Sequence, residues 1–95
     1  MRVYISGAIT GTDDYIERFE QAEQELIERG FDVINPVRVN SGLPKSSTHS
    51  DYMHISFALI DLCDGIYSMP GWKKSTGACM EFGYGVAKGK VGVTL

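Results

Sequence analysis

Apolar and polar residues alternate from Arg2 to Ser6 (RVYIS), a period of two that predicts a first β-strand. The strand runs into Gly7-Ala8-Ile9-Thr10-Gly11, a small-residue turn expected to face a ligand. From Asp14 the period changes. Tyr15, Phe19, Ala22 and Leu26 recur at helical spacing as far as Gly30, and Glu17 lies three positions after Asp14, which predicts a capping box. Phe31 to Ile34 reads as a second strand closed by Asn35-Pro36. The polar stretch from there to Ser50, with Gly42 and Pro44, reads as the one long loop. Asp51 to Leu62 reads as a second helix with Tyr52, Ile55, Leu59 and Leu62 on its apolar stripe. After Asp64-Gly65, the run Ile66 to Met69 predicts a third strand, broken by Pro70-Gly71-Trp72. A third helix follows within Ser75 to Lys90, and Val91 to Leu95 predicts a closing strand.

The resulting order, β-α-β-α-β-α-β without repeats or linkers, predicts one α/β domain over residues 1–95. Alternation of this kind winds into a parallel sheet with helices on both faces, a small Rossmann- or flavodoxin-like three-layer sandwich. The expected strand order is 2-1-3-4. Strands one and three then flank the switch point, where the loops at their carboxyl ends form a crevice. That geometry brings Gly7–Gly11 and Met69–Glu81 into one pocket.

Composition narrows the ligand. At 95 residues a lone core is small, so a homo-oligomer is expected. The net charge is −3, with no run of Lys or Arg able to hold a polyanion, which argues against nucleic acid as partner. Cys63 and Cys79 match no metal spacing and read as buried thiols; no metal and no cofactor are expected. Without a signal peptide or a spanning apolar segment, no membrane partner is expected and a cytoplasmic location is.

The chemistry concentrates in STGACMEFGYGVAKGK, Ser75 to Lys90, where one carboxylate, Glu81, lies in an otherwise small and apolar helix opened by Ser-Thr-Gly. A helix N-terminus attracts an anion. Ser75 and Glu81 are six positions apart, roughly 9 Å of helical rise. That span suits a nucleotide with its phosphate at the helix start, on Ser75, Thr76 and Gly77, and its sugar carbon near Glu81. Ser75 or Thr76 also reads as an ordinary N-cap. Met80, Phe82, Gly83, Tyr84, Gly85 and Val86 leave no polar face around Glu81, so its carboxylate is expected in a crevice or a subunit contact. Trp72 reads either as a stacking surface for a base or as a hydrophobic plug, and Lys73 and Lys74 either as positive potential near a phosphate or as solvated charges.

The combination VYISGAITG, INP, CDGIYSMPGW and S-x-G-x-x-x-E followed by GYGVAKGK resembles the nucleoside 2-deoxyribosyltransferase superfamily. It is most similar to that superfamily's small branch of uncharacterised, often phage-borne, DUF4406-like proteins. The resemblance spans nearly the whole chain. It implies that Glu81 is the nucleophile on the anomeric carbon, that Tyr4 orients it, and that Ser6, Gly7, Ile9 and Gly11 lie against the ligand. It also implies a phosphorylated ligand, because Ser75 stands where relatives acting on 5′-monophosphates have serine and those acting on free nucleosides have aspartate.

One departure weakens turnover: Ser56 occupies the position where many relatives place an acidic aspartate, and a serine cannot protonate a leaving base as a carboxylic acid does. The neighbouring His54 reads either as a substitute for that role or as a solvated or hydrogen-bonded histidine. Asp61 reads as a surface residue and Asp64 as a cap on the turn into strand three. Two expectations follow. One is an N-glycosidase or deoxyribosyltransferase acting on a nucleoside or nucleotide; the other is a binding protein that sequesters a nucleotide or an ADP-ribose-type signal. Relatives that exchange bases continue past the fourth strand, so hydrolysis or binding is expected over base exchange.

Overall fold

The computed structural model describes residues 1–95. Strands β1 (Arg2–Ser6), β2 (Asp32–Ile34), β3 (Gly65–Ser68) and β4 (Val91–Val93) form one parallel sheet in the order β2-β1-β3-β4. The register sets Tyr4 beside Ile34 on one side and Ile66 on the other, and Ser6 beside Ser68. Helices α1 (Tyr15–Glu28), α2 (Pro36–Asn40), α3 (His49–Asp61) and α4 (Thr76–Ala87) complete the architecture, with a short 3-10 turn at Trp72–Lys74. The α/β sandwich and its 2-1-3-4 sheet are as the alternating pattern predicts.

Alternation along β1 divides the interior in two. Val3 and Ile5 face α1, where they pack with Phe19, Ala22, Leu26 and Met69. Tyr4 faces the opposite layer and packs with Ile60, Cys63 and Ile66. Successive side chains of a strand point to opposite faces, so Ser6 follows Tyr4 into the α3–α4 layer. Tyr84 of α4 stacks on Phe57 of α3, ring centroids 4.3 Å apart, and its hydroxyl donates to Asp61 at 2.7 Å. Asp61 therefore ties the two helices together.

Local signals explain the helix ends. The α1 helix stops in a Schellman motif: Phe31 N–H reaches the Leu26 carbonyl, Gly30 N–H reaches that of Ile27, and Gly30 takes φ +92. At its start Asp14 makes no side-chain capping bond, so the predicted box does not form. The box lies instead on α3. Thr48 Oγ1 accepts from Asp51 N–H at 3.1 Å, and Asp51 Oδ2 accepts from Thr48 N–H at 2.8 Å. Asp64 behaves as expected, with Oδ2 accepting from Arg2 N–H ahead of strand β3.

Three expectations need correction. The long loop contains α2, started by Asn35, whose Oδ1 accepts from Val37 N–H, and by Pro36 at the first helical position, where its missing N–H costs nothing. The buried stripe of α3 is Met53, Ser56 and Ile60, one residue round from the predicted one, and Leu62 is 60% exposed. Ser56 disguised that stripe, because a serine at the buried position reads as a polar face. Cys63 is buried, and burial pushes its thiol up to about 11, but Cys79 is exposed.

Candidate active site

Glu81 lies on the buried stripe of α4 with Ala78 and Gly85, at spacings of three and four that share one helical face. Gly85 lets the helix sit close: a Cβ there would overlap Ile66 Cδ1 of β3. The close approach carries Glu81 onto the end of β1. Tyr4 Oη donates to Glu81 Oε2 at 2.6 Å, and Ser6 Oγ donates to Oε1 at 2.7 Å. Ser56 Oγ lies 3.1 Å from Tyr4 Oη. A phenol has one proton, and the shorter contact to the carboxylate takes it, so Ser56 donates to the phenol oxygen.

The carboxylate is 7% exposed and no cation pairs with it. The ion pairs of the chain, Arg18–Asp14, Arg38–Glu23 and Lys88–Asp61, all lie elsewhere. Burial raises the Glu81 carboxyl above its ordinary value of 4.5, opposed by the hydrogen bonds from Tyr4 and Ser6 and, more weakly, by the nearby Ser56 hydroxyl and by His49. Burial, then the adjacent Glu81 charge and the bond to it, hold the Tyr4 phenol well above 10.0, so it stays a donor. An anion held by hydroxyls alone keeps more of its basicity than one neutralised by Arg or Lys.

The carboxylate faces a cleft of about 390 Å³ at the carboxyl end of β1, within the range of small-molecule sites. The loop after β1 and the start of α4 share this cleft, as the strand order predicts. Tyr4, Gly7, Ile9, Ser56, Ser75 and Gly77 line it with Glu81. Ser75 caps α4, its Oγ accepting from Ala78 N–H at 3.2 Å. Ser6 reaches the site through Glu81.

Other residues singled out in the sequence fall outside the cleft. Gly11 serves the turn, at φ +81 in a loop closed by Thr12 N–H on the Ile9 carbonyl. Thr76 is exposed at the helix start, rotated away from the lining. Trp72 stacks on Phe82, centroids 4.6 Å apart, and joins Lys73 and Lys74 around a separate shallow depression beside β4. The plug reading is the one the coordinates match. His54 is exposed and does not line the cleft, so it does not stand in for the missing acid. No three or more His, Cys, Asp or Glu side chains cluster as a metal site requires. No helix is long and apolar enough to cross a membrane.

Sequence reasoning missed the far wall, which comes from α2 and the start of α3: Pro36, Val37, Asn40, His49, Tyr52 and Met53. Asn35-Pro36 was the available signal, since Asn followed by Pro also opens a helix.

The profile of a protein family described as "Domain of unknown function (DUF4406)" matches residues 1–93. The chain belongs to the DUF4406 family. No curated protein matches it. Among solved structures, this DUF4406 chain is similar to one described as the structure of Clostridium botulinum CMP N-glycosidase, BcmB. The TM-score is 0.66 at 24% identity, covering 97% of this chain and 68% of that one. The likeness is one of fold: the DUF4406 domain shares the α/β architecture of that structure.

Proposed function

We propose that this chain acts on the N-glycosidic bond of a nucleoside 5′-monophosphate, with Glu81 as nucleophile. The observation that carries the reading is a buried carboxylate with no cationic partner, held by Tyr4 and Ser6 at the floor of a nucleotide-sized cleft. A glycosidic bond breaks through an oxocarbenium-like state that an adjacent carboxylate stabilises and traps. A Glu81 oxygen bonds to C1′ as the C1′–N pair withdraws onto the base, which takes a proton from water. The hydroxide left by that water then adds to C1′ as the C1′–O bond to Glu81 breaks, releasing the sugar phosphate and restoring the carboxylate. The glycosidase description of the solved relative supports a nucleotide as ligand, and Ser75 at the start of α4 suits its phosphate.

The test is base release. Deoxy- and ribonucleoside 5′-monophosphates incubated with the protein should yield free base by chromatography, and Glu81→Gln should end the release with the fold intact. Release that survives this substitution removes Glu81 from the chemistry.

A second reading has one observation in its favour. Ser56, bonded to Tyr4, stands where relatives place an acid, and His54 lies outside the cleft, so the leaving base has no carboxylic acid to protonate it. A protein that binds a nucleotide without turnover satisfies that geometry. It predicts a nucleotide retained through gel filtration and no base released.

A further inference from the structure

Of the twenty residues lining the cleft, His49 is the one whose side chain can carry positive charge. The basic pair Lys73 and Lys74 borders the other depression and cannot serve here. His49 opens α3, directly after the Thr48 cap, and its ring crosses to α4. Nε2 lies 3.6 Å from the point where a Cβ on Gly77 would stand. At that helix start the N–H groups of Thr76 and Gly77 have no acceptor in the chain, while Ser75 Oγ takes the N–H of Ala78. The imidazole is also near enough to Glu81 for its charge to favour the carboxylate form. One side chain thus stands beside the free amides at one end of the cleft, within electrostatic reach of the acid farther in.

We propose that His49 is the residue that makes the cleft prefer a phosphorylated ligand, donating from its imidazole to a 5′-phosphate oxygen seated at the start of α4. The proposal rests on the nucleotide reading above and names the residue that selects its substrate class. Backbone amides supply only partial charges, and a phosphate dianion in a cleft without Lys or Arg needs one stronger donor. Imidazole supplies an N–H in either protonation state and two when charged. The side chain is exposed in the free protein, so replacing it spares the core.

The experiment is a titration calorimetry series in the Glu81→Gln background, where bound ligand is not consumed. Each ribo- and deoxyribonucleoside 5′-monophosphate is paired with its own nucleoside, and the quantity read is the ratio of the two affinities. With His49 intact the ratio favours the monophosphate. His49→Gln should lower that ratio by about tenfold or more, the scale of a hydrogen bond to a charged group. His49→Lys, which keeps a cationic donor, should preserve most of it. Thermal melts confirm that the variants fold. An unchanged ratio in His49→Gln overturns the assignment and leaves the nucleotide reading standing. So does an equal loss for nucleoside and monophosphate, which would make His49 a base or sugar contact. If no pair binds at all, the nucleotide reading falls and takes this inference with it.

Discussion

Tyr4 Oη and Glu81 Oε2 meet at 2.6 Å across 77 positions of sequence, joining the central strand to the last helix. The bond has a directional consequence for chemistry. A nucleophilic Glu81 must be ionised, burial raises its carboxyl, and Tyr4 is the hydrogen-bond donor that most lowers it. Base release should therefore rise with pH through a limb displaced above 4.5. Tyr4→Phe should move that limb further upward, besides lowering the plateau. A limb that stays in place in Tyr4→Phe would show that the phenol does not hold the anion.

The same raised carboxyl has a stability signature. The folded state keeps the Glu81 proton to a higher pH than the unfolded chain does, so between those two values the native state binds more protons. Stability from this group then falls as pH rises through the window, with no penalty below it and the full penalty above. Glu81→Gln lacks the penalty. The difference in urea midpoint, variant minus wild type, should grow from about pH 4 upward and then level off. A difference independent of pH would mean that Glu81 ionises as freely in the fold as outside it.

Ser75 can be tested without harming its helix. Aspartate caps as well as serine does, so Ser75→Asp should melt within about 2–4 °C of wild type by the ordinary spread of cap effects, roughly 0.5 kcal/mol. Its charge, however, opposes a phosphate by on the order of 1–4 kcal/mol at contact range. Monophosphate affinity should drop steeply and nucleoside affinity little. Equal changes in both would place no phosphate at this helix start.

Gly85 sets the distance between α4 and the sheet. Gly85→Ala should destabilise by about 1–3 kcal/mol, the usual cost of overpacking, because the new methyl overlaps Ile66 Cδ1. Adding Ile66→Val removes that atom and should return part of the loss in a denaturant melt, along with part of the base release. Additive losses in the double variant would show that the two side chains do not compete for the same space.

Much of this site was legible in the chain because its parts are carried by local patterns. The period of two in RVYIS put Tyr4 and Ser6 on one face. The strand order then brought that strand's end to the start of the Glu81 helix, and an acid flanked by Met80, Phe82 and Tyr84 announced a carboxylate without a solvated face. What stayed hidden depends on tertiary context. Pro36–Asn40 is too short to show helical periodicity, so the wall it contributes read as loop. His49 precedes the residue at which the apolar repeat of α3 begins, and nothing nearby in sequence places it beside Gly77. Trp72 is bold in sequence, yet its neighbour is Phe82 two turns into α4, and that pairing turns it away from the cleft.

Strand β1 gives Val3 and Ile5 to the interior and Tyr4 and Ser6 to the acid, residue by residue. Slipping that strand by a single position would exchange the two sets, facing Glu81 with methyl groups and pressing two hydroxyls into α1. Folding errors and chemical errors at this strand are therefore the same event, and a chain that mispairs here loses its hearth and its fire together.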